Sequence, residues 1–310
     1  MKKRRLFLTG VFVCTGKDKM KKTKQINIVP YLFILPHIVM FIVFFLYPML
    51  YGIYASFTKW NLFGDPVWVG LENYHMIFFE QESTFFRQFW TGFRNTVFFV
   101  LICVPGQILL PLTMAWALYM KPWGRKVFQS LFYMPTLFSI SAVIITWLGL
   151  LYRTNGLINW LFKTDINWLG EQPWAWASIV MVTLWWVIGT NLIIYVAAFS
   201  GVDKSILEST EIDGAGEFTR FFRIIIPMIR FPLVYTIIIS VISQFNIFGQ
   251  PLMLTPNLES TTVLLIYIRN LAFGTGNPIA GVSSAMATIF GLVIGTVAII
   301  QTVLLRKQID

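Results

Sequence analysis

The sequence predicts an all-α, polytopic membrane protein of six transmembrane helices, and three observations carry that prediction. Of 310 residues, 56% are apolar and 17% aromatic while only 12% are charged, about half the charged share of a soluble domain. The charges fall in clusters between apolar runs, where they mark the ends of spans. Six runs approach the ~20 apolar residues that a hydrocarbon core of ~30 Å requires; they lie near 29–57, 95–119, 127–151, 175–199, 231–254 and 282–305.

Residues 1–27 read as a basic cytosolic tail. Lys2 to Arg5 and the apolar Leu6–Val13 imitate the start of a signal peptide. That apolar stretch is at the short limit, however, and a second basic run, Lys17 to Lys24, precedes a full span. Met20 offers an alternative start. Residues 28–310 then form one six-helix transmembrane domain. The first span contains His37, isolated from other titratable groups and so read as a packed helix residue. Pro105 and Pro111 in the second span, Pro135 in the third and Pro232 in the fifth predict bent helices inside a bundle, because proline frees backbone groups that protein must satisfy. The fifth span is the least regular, opening with Pro232 and carrying Gln244, Asn246, Gln250 and Pro251. In the sixth, Ala287, Gly291 and Gly295 form a small-residue stripe, read here as internal helix packing.

Lys and Arg set the direction of insertion. Eighteen of the 24 lie in the tail, the 120–126 link, the 200–230 link and the C-terminus, against six on the alternate connections. Both termini are therefore expected in the cytosol. Trp60, Trp68, Trp90, Trp168 and Trp174 near span ends fit an interfacial belt against membrane lipid.

Several functions are excluded or disfavoured. The net charge of +10 comes without a basic stripe interleaved with aromatics, so nucleic acid is not an expected partner. Cys14 and Cys103 lie in different environments and no Cys/His cluster has ligand spacing, so neither a disulfide nor a metal is expected. There is no phosphate-binding G-x-x-x-x-G-K-[ST] loop, no H-E-x-x-H and no G-x-S-x-G, and hence no catalytic residue to nominate and no cofactor. None of the fourteen acidic residues sits in the middle of a span, which disfavours a carrier driven by protons or sodium. Energy is expected from another chain.

The 200–230 link is the most charged internal connection. Ser205 and Glu208 have capping-box spacing and Asp203 offers a second cap, so a short helix is expected from about Ile206, stopped at Gly214 with Gly216 behind it. A second short helix, amphipathic through Phe218, Phe221 and Phe222, should run from about 217 to Pro227. Such a pair would form a rigid docking protrusion; a solvated polar loop is the alternative. Spans four and five supply uncharged polar and aromatic groups suited to a neutral polar solute: Trp185, Trp186, Thr190 and Asn191 before the loop, Ser240, Gln244, Asn246 and Gln250 after it. Ser240 and Gln244 share a face, one turn apart. Hydrogen bonding between helices is the competing reading.

The spacing Glu208-Ser209-Thr210, three residues, Gly214, nine residues, Ile224-x-Ile226-Pro227 resembles the E-A-A-x3-G-x9-I-x-L-P signature of permease subunits of binding-protein-dependent ABC importers. It departs at Ser209, Thr210 and Ile226, all small or volume-conserving changes. Pro30 to Pro36, Leu46 to Pro48, Ser56 to Trp60, Val69 to Tyr74, Phe132 to Pro135, and Leu254 to Pro256 with Ser260 to Thr262 are similar to the first of two permeases in carbohydrate importers of the maltose and glycerol-phosphate kind. The resemblance implies a type I importer permease fold. It implies as partners a second homologous permease, two ATPase subunits that hydrolyse the ATP, an extracytoplasmic solute-binding protein and a sugar or oligosaccharide. It makes the helix at 206–213 a coupling helix, with Glu208, Ser209, Thr210, Asp213, Gly214 and Pro227 as coupling positions. It also places Trp185, Ser240, Gln244 and Ile247 where maltose-binding relatives contact sugar. Ile247 stands where an amide would be expected. A non-sugar solute such as glycerol phosphate or a polyamine is the alternative within transport, and an intramembrane enzyme or scaffold the remote one.

Overall fold

The computed structural model describes residues 29–274 and 278–306; the tail predicted over 1–27 and the last four residues lie outside them. The chain divides into two compact units, one ending at Met49 and one beginning at Leu50. In the first, the chain is helical from Val29, contains Pro36, and passes through one π turn at Ile42–Leu46, beside which Phe41 and Phe45 stack with ring centroids 5.1 Å apart. This is part of α1, whose membrane-length segment is Leu32–Ser56.

In the second unit the end of α1 leads into a two-stranded antiparallel ribbon, β1 (Thr58–Lys59) and β2 (Val67–Trp68), in the register Thr58↔Trp68. Helix α2 (Glu72–Phe78) follows. Asn73 fixes this corner by donating to the carbonyls of Ser56 at 2.8 Å and Thr58 at 2.9 Å. Next comes α3 (Thr84–Tyr119), capped by the Ser83 hydroxyl, which accepts the Phe85 N–H at 3.2 Å. Its 36 residues extend about 54 Å at 1.5 Å each. The helix begins well before the predicted span and runs through Pro105 and Pro111 without a break.

The third span is broken. Helix α4 (Arg125–Tyr133) ends in a tight turn at Met134–Leu137 around Pro135, and α5 (Ile140–Leu151) restarts at 102° to it, capped by Ser139. Proline removes the donor that would continue the ladder. The Phe138 carbonyl at the break accepts the Trp186 indole N–H at 3.1 Å, which satisfies it within protein. After α6 (Leu157–Phe162), α7 (Trp174–Ser200) is an unbroken span. Buried Asn159 organises the intervening loop, donating to the Arg153 and Ile166 carbonyls and accepting from the Trp168 indole at 2.8 Å.

The 200–230 segment forms α8 (Lys204–Ile212) and α9 (Glu217–Met228), the latter with a π turn at Phe221–Ile225. At Ile229 the chain turns by 74° into α10 (Arg230–Phe245). Pro232 lies in the first turn of α10, where its missing N–H costs no helix hydrogen bond, and the bend expected of it falls in the turn just before it. Sixteen residues reach only about 24 Å, and α11 (Gly249–Leu254) continues after a short break. A further apolar helix not anticipated from the sequence, α12 (Leu264–Phe273), precedes α13 (Ala280–Arg306). The segment leading into α12 is locked to α3: Asn95 donates to the carbonyls of Glu259 and Thr262, and Thr96 accepts the Leu264 N–H at 3.1 Å. Gly92 permits this approach, since a Cβ there would lie 2.8 Å from Leu264 Cα.

Four of the described helices are long and apolar enough to cross a membrane, and up to six spans result if each bent pair counts as one. The small-residue stripe of α13 corrects one expectation. Ala287 is exposed, and a Cβ built on Gly291 or Gly295 would meet no atom within 4 Å. It does not pack internally, because α13 presents Ala285, Met286 and Phe290 to the core instead.

Candidate functional site

Two groups of predicted site residues lie in contrasting surroundings. At the end of the bundle carrying the 200–230 loop, α8 starts at Lys204, earlier than predicted. Asp203, not Ser205, is its cap: the Asp203 carboxylate accepts the Ser205 N–H at 2.9 Å, and this bond holds its pKa below the usual carboxylate value. Ser205 falls inside the helix, so the expected capping box does not form. The Ser209 and Thr210 hydroxyls donate within the helix to the carbonyls of Ile206 and Leu207. The helix stops as expected at Gly214, with φ +73°. The Ala215 N–H closes back onto the Thr210 carbonyl at 3.0 Å, the six-to-one bond of a Schellman end.

The underside of this pair is apolar and fused to the bundle. Val202, Leu207, Phe221, Ile225 and Ile229 join Leu112, Leu118, Tyr195 and Phe199 in one buried cluster. Phe221 stacks on Trp116 of α3 with centroids 4.3 Å apart. The upper side is open: Glu208, Ser209, Asp213 and Gly214 are exposed, Thr210 is partly so, and Pro227 is exposed on α9. Large apolar side chains stand among them, with Ile212 87%, Phe218 73% and Phe222 60% exposed. Of the three predicted phenylalanines only Phe221 is buried, while Phe218 meets the Trp116 ring edge-on at 6.0 Å. A polar loop would not hold such residues in water; a docking face would.

The second group lies between the helices. Asn191 on α7 donates to the Gln107 carbonyl of α3 at 2.9 Å and to the Ser240 hydroxyl of α10 at 3.2 Å. Gln244 donates to Gln107 Oε1 at 2.7 Å, and Tyr195 bonds Thr236 at 2.6 Å one layer along. All of these side chains are buried. Gln107 was not anticipated. The available signal was that it is the one amide in the apolar run 97–118, between two prolines.

The remaining candidates do not join this cluster. Trp185 is 41% exposed and meets Trp147 edge-on at 5.6 Å. Trp186 is tied to the break in the third span. Asn246 is exposed, bonding the Ile242 carbonyl at 2.8 Å, while Thr190 is exposed and Gln250 and Ile247 are buried. The polar groups of spans four and five thus divide into an interhelical lock and a few open side chains.

Comparison with known proteins agrees with this architecture. Residues 96–310 match the family described as binding-protein-dependent transport system inner membrane component. A probable starch degradation products transport permease, AmyD of Thermoanaerobacterium thermosulfurigenes, is 28% identical over 286 residues, covering 90% of this chain and 94% of its own. The arabinooligosaccharides transport permease AraP of Bacillus subtilis is 27% identical, covering 88% and 87%. Among solved structures, a chain of a bacterial ABC transporter that imports the acidic polysaccharide alginate superposes with a TM-score of 0.75 at 22% identity, over 90% of this chain and 95% of that one. A matching family model over more than two thirds of the sequence, together with the shared fold, makes this chain a member of the binding-protein-dependent transport system inner membrane component family, a membrane-embedded ABC transporter permease.

Proposed function

We propose that this permease conducts a sugar or oligosaccharide inward across the cytoplasmic membrane, with residues 28–310 as the conducting domain and both termini in the cytosol. The names of its relatives, which handle starch products, arabinooligosaccharides and lactose, support the solute class. The eighteen-to-six distribution of Lys and Arg supports the orientation. The chain does not hydrolyse ATP; two ATPase subunits do so, beside a second homologous permease and an extracytoplasmic solute-binding protein.

The observation that carries the coupling role is the two-faced 203–228 segment, apolar and stacked on Trp116 below, exposed with Ile212 and Phe222 above. Glu208, Ser209, Thr210, Asp213 and Gly214 present this face to an ATPase, and Pro227 joins it from the last turn of the second helix. Because the underside is continuous with α3 and α7, a push on α8 moves those spans as one body. Trp185, Trp186, Asn191, Ser240, Gln244 and Asn246 line or brace the solute path. Within this set, Trp185 is the open contact and Asn191, Ser240 and Gln244 are braces.

Co-purification tests the assembly, and uptake of labelled neutral saccharides by the reconstituted complex tests the solute. Isolation without any ATPase or second permease sinks the coupling assignment. Uptake confined to glycerol phosphate or a polyamine sinks the sugar assignment.

A further inference from the structure

The buried amides between the spans bond one another, whereas toward the opposite end of α3 a sheltered amide oxygen has no such partner. Between the first turns of α3 and the 251–270 segment lies a cavity of about 340 Å³. Its walls combine Thr84, Gln88, Asn257 and Tyr267 with an apolar floor of Leu252 and Ile266. Gln88 Oε1 is shielded from solvent and has no hydrogen-bond partner among the described residues. A sheltered carbonyl of this kind costs free energy until a donor reaches it. Tyr267 adds an aromatic ring, partly buried, in the same walls. At the lip Arg87 and Glu259 pair at 3.3 Å, so the entrance carries two charges that cancel.

We propose that this cavity is a subsite for a neutral, polyhydroxylated ligand, a saccharide unit, at the mouth of the permease facing away from the ATPases. A hydroxyl donates to Gln88 Oε1, the amides and hydroxyls of Asn257 and Thr84 bracket the ring substituents, and Tyr267 covers a weakly apolar ring face. The cancelled charge at the lip disfavours an ionic ligand. The subsite sits at the far end of α3 from Trp116, apart from the interhelical cluster, and it rests on the sugar-transport reading above.

The assembled complex in lipid nanodiscs is titrated with maltotriose, arabinotriose, lactose and, as a charged control, glycerol 3-phosphate, with contact read by saturation-transfer NMR. At least one neutral saccharide should saturate in the millimolar range. Gln88→Leu and Tyr267→Ala should each weaken it about fivefold or more, as expected for one hydrogen bond or one stacking face. Absence of saturable contact for all three saccharides, preference for glycerol 3-phosphate, or equal affinity in Gln88→Leu overturns the assignment. Uptake is scored separately. A complex that imports a neutral saccharide yet shows no cavity contact loses the subsite alone, and one that imports none loses the sugar reading, the subsite then being judged on the titration.

Discussion

The 203–228 protrusion and the polar cluster around Gln107 hold residues of similar type, yet they spend them in opposite ways. In the protrusion, local bonds close the helix ends, an apolar underside anchors it, and Glu208, Asp213 and Ile212 are left open. In the cluster, Gln107, Asn191, Ser240 and Gln244 are consumed by one another. An exposed polar residue on a rigid support is available to a partner; a buried, satisfied one fixes how three helices meet. Residue type alone does not distinguish the two roles.

The sharpest break in that comparison comes from Gly214→Val. Its φ of +73° strains a β-branched residue, so uptake by the complex should be abolished while membrane insertion, followed by fractionation, stays normal; wild-type uptake would remove the protrusion from coupling. Next, Phe221→Ala removes a buried ring stacked on Trp116, a loss of about 3 kcal/mol. Limited proteolysis should then cut within 203–228 at a temperature where the wild type resists, and equal resistance would show that the anchor lies elsewhere. The cluster is sharpened by a double-mutant cycle. Gln244→Leu strands Gln107 and should lower thermal stability by about 1 kcal/mol, and adding Gln107→Leu should recover part of it. If the single variant lowers uptake with stability unchanged, Gln244 contacts solute instead. The smallest effect concerns Asp203, whose lowered pKa means that its cap is present at neutral pH and is lost only as pH falls below the ordinary carboxylate value of 3.8. Asp203→Ala should speed amide exchange at 205–207 at neutral pH, Asp203→Asn should not, and identical rates in all three would dismiss the cap.

What was legible in the sequence follows from the range of the interactions involved. Span positions could be read from apolar run length, since the bilayer imposes that length. The stop at Gly214 could be read because only local geometry decides it. The choice of Asp203 over Ser205 as cap could not be settled by spacing, since both residues fit the rule. Gln107 bonds Gln244 at a separation of 137 residues, and no local pattern announces such a pairing. The break at Pro135 was expected as a bend; at its 102° corner Trp186 reaches the Phe138 carbonyl, 48 residues away, a pairing no local pattern announces. Helix α12 was missed because its ten residues are too few for a span and sit inside a connection. The outward face of the small-residue stripe depended on which neighbouring residues of α13 won the core.

Helix α3 is about 54 Å long, against a hydrocarbon thickness of about 30 Å. It grips the Glu259–Leu264 segment through Asn95 and Thr96 near its start, and carries Trp116 beneath Phe221 near its finish. One unbroken rod thus joins the proposed saccharide subsite near one end to the proposed coupling surface near the other. On that proposal, a tilt imposed at either tip registers at the other through the helix backbone itself, with no relay of side chains in between.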